Sequence, residues 1–178
     1  MQKELVAKNI ILTPSCGKYN AIVIFSHGLG DSASGICPIV ESIALSIPYA
    51  KFYLPSASDR SVTLNNGVRM PAWYDIKSIG DPSCDGIESS VPVIENILRE
   101  EHVLGLPYSR MVLAGFSQGG ALSLYIGLQL ASIHLAGILV FSGYLPGYDK
   151  FKITPGLEDV RILHCHGLSD PSVIFIFV

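Results

Sequence analysis

Continuous apolar runs, each ending in or followed by a glycine-containing loop, are the feature that most constrains the fold of this chain. Three of them are residues 21–26 (AIVIFS), 110–116 (RMVLAGF) and 135–143 (LAGILVFSG). They are rich in β-branched and aromatic side chains and lack the polar–apolar alternation of a strand with one wet face. They therefore predict strands that are buried on both faces of a sheet.

Segments with a helical apolar period separate these runs. Residues 37–46, 87–104 and 118–131 carry apolar side chains three and four positions apart, and Pro92 must lie near the start of its helix. Two further short strands are predicted at residues 50–55 (AKFYLP) and 160–167 (VRILHCHG). Strands that alternate with helices predict an α/β fold, with a mainly parallel sheet and helices on both faces. Ligand sites in such folds lie at the carboxyl ends of the strands.

The composition fits one globular domain and argues against several functions. The 178 residues are 49% hydrophobic and 15% charged, so residues 1–178 are expected to form one domain with a large core. A net charge of −3 without a Lys/Arg cluster argues against nucleic-acid binding. The four scattered cysteines lack metal-ligand spacing, which predicts no metal and no cofactor and favours a cytoplasmic protein with reduced thiols. No secretory leader is apparent, and no apolar run approaches the ~18 residues of a membrane helix.

Gly115, Ser117 and Gly119 form a G-x-S-x-G motif between a predicted strand and a predicted helix. This context is typical of a nucleophile elbow, a strained turn that holds a serine hydroxyl clear of the sheet. Glycines are needed two residues before and after the serine because a Cβ there would meet neighbouring backbone. Ser117 is therefore a candidate nucleophile, although a plain Gly/Ser turn before a helix explains the five-residue motif alone equally well.

A second loop favours the catalytic interpretation. Residues 25–35 (FSHGLGDSASG) follow the first buried strand, and a His-Gly-x-Gly loop in this position supplies a backbone N–H to an oxyanion hole. We expect the two donors to be the N–H groups of Leu29 and Gln118, and a single donor of this kind contributes roughly 2.7–4 kcal/mol. For His27 we expect a structural role, in which the ring props the loop by hydrogen bonding.

Asp170 is the candidate acid of a catalytic triad. It follows a predicted strand and occupies the place of the acid in the chain order Ser–acid–His. By itself it would be interpreted as the start of an Asp-Pro turn, but its position in the sequence favours the acid.

A histidine base in the expected place is missing from these 178 residues. The five histidines are His27, His102, His134, His164 and His166. We expect His102 and His134 on the surface, whereas His164 and His166 lie on the strand leading to Asp170. A base must come within hydrogen-bond reach of Ser117, and a rigid strand backbone leaves little freedom for that. Without a base the serine hydroxyl stays protonated and is a poor nucleophile.

Five stretches of the chain resemble, in the same order, the acyl-protein thioesterases, the carboxylesterase/lysophospholipase group of α/β hydrolases. They are FSHGLGDSASG, RMPAWYDI, GFSQGGALSLY, SGYLP and HCHGLSDPSV. The resemblance implies that the substrates are S-acylated proteins, lysophospholipids or other long-chain esters. It also implies that Ser117 is the nucleophile, that Asp170 is the acid, and that the N–H groups of Leu29 and Gln118 are the oxyanion donors. The resemblance further implies that the long polar segment 56–86, which contains Trp73, lines or covers an acyl channel. For Trp73, packing in the core is an equally good explanation.

The resemblance ends soon after Asp170, where members of this group continue with a helix, a strand, a loop bearing the catalytic histidine and a final helix. We therefore expect a C-terminally incomplete α/β-hydrolase domain that lacks its last strand and helix and has impaired activity. A non-catalytic acyl-chain or acyl-protein binding module is the alternative. The strand at 160–167 should be an exposed edge, with which residues 174–178 could pair. Transient contact with a membrane surface and a homodimer are also compatible with the sequence.

Overall fold

A seven-stranded sheet forms the centre of the computed structural model, which describes residues 1–129 and 133–170. The strands of the described residues are β1 (Gln2–Val6), β2 (Asn9–Thr13), β3 (Ala21–Ser26), β4 (Ala50–Leu54), β5 (Asp59–Val62), β6 (Val68–Pro71), β7 (Met111–Phe116), β8 (Gly137–Phe141) and β9 (Ile162–Cys165). The sheet has the order β1-β2-β4-β3-β7-β8-β9, and β5 and β6 form a separate antiparallel pair. The run from β4 to β9 is parallel, whereas β1 and β2 join antiparallel. This arrangement confirms the predicted α/β fold.

Helices cover both faces of the sheet, as predicted. In the described residues they are α1 (Ala33–Ser46), α2 (Val91–Val103) and α3 (Gln118–Gly127). Successive residues of a strand point to opposite faces. Val23 and Phe25 of β3 pack in one buried cluster with Val40 of α1. Ile22 and Ile24 pack in another cluster with α2 and α3, so the central strand is buried on both sides.

The predicted elements are present, with some shifts at their ends. The first helix begins at Ala33, upstream of the predicted start, because Ser32 caps it: the N–H of Gly35 donates to Ser32 Oγ at 3.1 Å. Pro38 consequently lies inside α1. Pro92 is the second residue of α2, which confirms its expected place near the helix start.

Two β-hairpins are absent from the sequence-based predictions. One joins β1 to β2. The other joins β5 to β6 and turns at Asn66 and Gly67, where φ is 55° and 77°. This second hairpin lies within residues 56–86, for which the sequence predicts only a long polar segment. It approaches the loop after β3, since the N–H of Gly30 donates to the carbonyl oxygen of Pro71 at 2.8 Å.

Among the described residues, β9 is the outer strand of the sheet and is poorly covered. It pairs in parallel with β8, and its residues Ile162 and Leu163 are 46% and 57% exposed. The exposed apolar edge expected from the sequence is therefore present in this part of the chain. The suggested pairing segment, residues 174–178, lies outside the described residues.

Candidate active site

At Ser117 the chain turns sharply from the end of β7 into α3. The backbone of Ser117 has φ 51° and ψ −117°, which is strained for an L-residue. A Cβ on Gly115 would lie 2.3 Å from the carbonyl carbon of Gly119, and a Cβ on Gly119 would lie 2.1 Å from the carbonyl oxygen of Ser26. Both contacts are with backbone atoms that cannot easily move. The predicted strained turn and its need for glycine are thus confirmed.

Neighbouring strands hold this turn and bring a second loop against it. The N–H of Ser117 donates to the carbonyl oxygen of Phe141, at the end of β8, at 2.8 Å. A Cβ on Gly28 would lie 3.5 Å from Ser117 Cβ, so the loop after β3 touches the serine. Gln118 is the first residue of α3, and the N–H of a first helical residue has no intrahelical acceptor. The N–H of Leu29 also donates to no acceptor in residues 1–129 and 133–170. Within the described residues, these two N–H groups therefore have no protein acceptor, as the expected oxyanion role requires.

His27 supports this loop in the way the sequence predicts. Its side chain is fully buried, with Nδ1 donating to the carbonyl oxygen of Gly28 at 2.7 Å and Nε2 accepting from the N–H of Ala57 at 3.0 Å. One nitrogen donates and the other accepts, so the ring is neutral. Burial lowers the pKa of His27 below its usual 6.5 and outweighs the hydrogen bond to Gly28.

Trp73 connects the long segment after β4 to both loops. Its side chain is 1% exposed and packs in the core beside α2 and α3. The indole Nε1–H donates to the carbonyl oxygen of His27 at 2.8 Å, and the backbone N–H donates to Gln118 Oε1 at 3.0 Å. Gln118 Nε2 in turn donates to the carbonyl oxygen of Tyr74 at 2.8 Å. Of the two explanations offered for Trp73, this geometry is that of core packing rather than of a side chain lining an open channel. No sequence pattern predicts the hydrogen bonds that the side-chain carboxamide of Gln118 makes.

Asp170 lies at the same end of the sheet as Ser117 but beyond a different strand. β8 separates β7 from β9, and neighbouring strands are about 4.8 Å apart. Asp170 Oδ2 is 3.7 Å from His166 Nε2, and His166 Nδ1 is 3.5 Å from His164 Nε2. The side chain of His166 is almost fully buried, and that of Asp170 is 18% exposed. The sequence analysis does not predict the contact of His166 with Asp170, because residues 166–170 lie in a loop after β9 and their spacing carries no signal.

The remaining surroundings of the site are mostly apolar. A cavity of about 420 Å³ lies between α1 and the ends of β7, β8 and β9, and Ile36, Phe116, Phe141 and His166 are among its lining residues. His102 and His134 are exposed, as predicted. In the described residues, no three His, Cys, Asp or Glu side chains are grouped so that they could hold a metal ion. No helix in the described ranges has the length and apolarity needed to cross a membrane.

Comparison with known proteins assigns the family. The sequence matches the Phospholipase/Carboxylesterase family over residues 9–177. The chain belongs to this family of α/β hydrolases, and it is an ester or thioester hydrolase by family. It is 38% identical over 175 residues to acyl-protein thioesterase 1 homolog 1 of Dictyostelium discoideum, covering 96% of this chain and 77% of the relative. It is also 38% identical over 170 residues to acyl-protein thioesterase 1 of Yarrowia lipolytica, covering 91% and 74%.

Solved structures of related proteins have the same fold. The crystal structure of SOBER1 from Arabidopsis thaliana superposes with a TM-score of 0.79 at 30% identity, covering 88% of this chain and 78% of that chain. Acyl-protein thioesterase 2 of Zea mays also has a TM-score of 0.79, with 97% of this chain and 80% of that chain covered. At 24% identity, the second similarity supports the fold alone. The family resemblance expected from the sequence motifs is therefore confirmed.

Proposed function

We propose that this chain is a serine hydrolase of the acyl-protein thioesterase type, which removes long-chain acyl groups from protein thioesters or from lysophospholipids and other esters. The observation that carries the proposal is the strained Ser117 turn, packed against a loop whose Leu29 N–H donates to no acceptor among the described residues. The relatives named acyl-protein thioesterase support S-acylated proteins as the substrate class. Such substrates reside at membrane surfaces, so we also propose transient contact with a membrane on its cytoplasmic side.

In the proposed reaction, Ser117 Oγ attacks the acyl carbonyl carbon and loses its proton to a base. The carbonyl oxygen becomes an oxyanion, which the N–H groups of Leu29 and Gln118 stabilise by roughly 2.7–4 kcal/mol for a single donor. The positive end of the α3 dipole adds to this stabilisation. The thiolate or alkoxide then leaves with the proton, and water cleaves the resulting acyl-serine by the same steps in reverse order.

Proton transfer is the weak step within these 178 residues. Asp170 is proposed as the acid that orients a base, but all five histidines precede it in the chain. Removing a triad member lowers the rate by about 10⁴- to 10⁶-fold, and the oxyanion hole retains part of the acceleration. We therefore propose that the 178-residue chain turns over slowly. The position of all five histidines before Asp170 also favours a second candidate function, a module that binds acyl chains or acyl proteins without cleaving them.

A fluorophosphonate probe and a fluorogenic palmitoyl thioester test these proposals together. We expect weak but measurable labelling and turnover in the wild-type chain, both abolished in Ser117→Ala. Saturable binding of a palmitate analogue without labelling or turnover would support the binding module instead. Labelling at the rate of a complete triad would show that a base is in place, and labelling that persists in Ser117→Ala would refute Ser117 as the nucleophile.

A further inference from the structure

The side chain of Gln118 takes no part in the reaction above, which needs only its backbone N–H. The carboxamide is fully buried, and both of its polar atoms are bonded to the backbone of the segment 73–74: Oε1 accepts from Trp73 N–H at 3.0 Å and Nε2 donates to Tyr74 O at 2.8 Å. A buried amide is unfavourable unless its hydrogen bonds are made. The two bonds therefore fix this segment relative to the residue that follows Ser117.

Trp73 extends the connection to the loop that carries the other N–H donor. Its indole Nε1–H donates to the carbonyl oxygen of His27 at 2.8 Å, and the two ring centroids are 5.1 Å apart. His27 lies two residues before Leu29 in the same loop. One path of hydrogen bonds thus runs from the side chain of Gln118, through Trp73, to the backbone of His27, two residues before Leu29.

We propose that Gln118 and Trp73 form a clasp, the path just described, which sets the spacing between the two oxyanion N–H groups. Both side chains are positioning residues, and their effect on rate rests on the proposed function. The N–H groups of Leu29 and Gln118 lie beyond the ends of β3 and β7, whose pairing stops at Ser26 and Gly115. Strand pairing brings the two loops together, and the clasp adds a side-chain connection beyond the last paired residues. An oxyanion needs donors at about 2.7–3.1 Å. A displacement of about 1 Å at a reacting centre can cost about 100-fold in rate.

Two substitutions break the clasp at different points and leave the backbone donors in the chain. Gln118→Met keeps a side chain of similar length but cannot make the two hydrogen bonds of the carboxamide. Trp73→Phe removes the indole N–H. With a fluorogenic acyl thioester, we expect each variant to lower kcat by about 10- to 100-fold while KM stays within about twofold. The double variant should lose no more than the more damaging single variant, because both residues act through one path. A raised KM with unchanged kcat, or losses that multiply in the double variant, would overturn the proposal.

Tyr19→Phe is the matched control for lost stability. The Tyr19 hydroxyl donates to Glu101 Oε2 at 2.8 Å, a contact with buried Glu101 of α2 at the opposite end of β3 from His27. We expect this variant to melt at a lower temperature with an unchanged kcat. A fall in kcat as large as that of Gln118→Met would show that general loss of stability, not the clasp, lowers the rate.

The amide resonance of Leu29 in 15N-labelled protein tests the clasp without any turnover. If the wild-type chain is no faster than Ser117→Ala, the proposed function fails while this measurement still applies. We expect Gln118→Met to shift the Leu29 resonance, although the two residues are far apart in sequence, and Tyr19→Phe to leave it in place. If Gln118→Met does not fold, Trp73→Phe serves in both measurements. An unmoved Leu29 resonance in a folded clasp variant overturns the proposal.

Discussion

The two halves of the candidate site are built in opposite ways. The nucleophile half, residues 26–30 and 115–121, is closed by backbone contacts and buried polar groups, with His27 and Gln118 fully buried. The acid half, residues 162–170, consists of β9, the outer strand of the described sheet, and the loop after it, in which Leu168 is 86% exposed. A strained backbone turn persists only where its surroundings over-determine it. A carboxylate needs no such enclosure, so we expect mutations in the two halves to differ in how far they alter folding.

Gly119→Ala should have the largest effect. Its Cβ would meet backbone atoms of residues 26 and 27 at 2.1 to 2.5 Å. We expect the free energy of unfolding to fall by more than about 4 kcal/mol, or folding to fail, since this change combines overpacking with a displaced turn. Urea unfolding followed by circular dichroism measures it.

Gly167→Ala is the matched substitution in the acid half. The nearest atoms to its Cβ would be those of Asp170 at 4.0 Å, an ordinary contact distance. We expect a change within about 0.5 kcal/mol, as for most surface substitutions. Similar losses at both glycines would refute the contrast between the halves.

Ser117→Gly should stabilise the protein while removing the proposed nucleophile. Glycine adopts positive φ without a steric penalty, and strain of this kind costs about 1–3 kcal/mol. Part of that gain is offset by the greater freedom of glycine in the unfolded chain. We expect Ser117→Gly to be about 1 kcal/mol more stable than Ser117→Ala, which keeps the strain. Equal stabilities in urea unfolding would mean that the turn stores no strain.

The nucleophile half is also the more predictable from sequence. The steric need for glycine at Gly115 and Gly119 leaves a visible motif, and the strand and helix on either side confirm its context. The carboxamide of Gln118 leaves none, because its partners are backbone groups 44 and 45 residues away that any residue type could supply. Motifs therefore reveal the two glycine-containing loops of this half, but not the side-chain hydrogen bonds that connect them.

The missed hairpins show a second limit of sequence patterns. Every residue of β1 is exposed, so the strand has no buried face and no apolar alternation to detect. The β5–β6 hairpin has strands of four residues each, too short for a clear period. Its turn does contain Asn66 and Gly67, and an Asn-Gly pair is a strong hairpin signal. That pair identifies this hairpin when it is given more weight than the polar composition around it.

Histidine titration compares the two halves in one experiment. Burial lowers the pKa of His27, and burial together with the neighbouring His166 lowers the pKa of His164. His27 is fully buried whereas His164 is only half-buried, so we expect the ring of His27 to stay neutral to the lower pH. NMR titration of the ring protons measures both midpoints. A midpoint of His27 above that of His164 would contradict the stronger enclosure of the nucleophile half.

These lowered pKa values also fix the sign of a stability change with pH. The unfolded chain takes up a proton near pH 6.5, about the ordinary pKa of histidine, whereas the native state takes it up only at lower pH. Each such histidine therefore makes its full contribution to the free energy of unfolding above that pH. The contribution falls as the pH drops toward the native pKa, by at most about 1.4 kcal/mol per pH unit. Urea unfolding at several values between about pH 7.5 and 5 tests this, since carboxylates with ordinary pKa values titrate lower. Stability that rises as the pH falls would give the opposite sign.

Asp170→Asn should also have only a small effect on stability. The Asp170 side chain is 18% exposed, and its Oδ2 lies 3.7 Å from His166 Nε2, which is too long for a hydrogen bond. We expect the free energy of unfolding to change by less than about 1 kcal/mol, because asparagine keeps the shape of the side chain. Any loss of labelling by a fluorophosphonate would then reflect a role in the reaction rather than in folding. A loss as large as that of Gly119→Ala would instead make Asp170 part of the structural frame, and the two halves would no longer differ in kind.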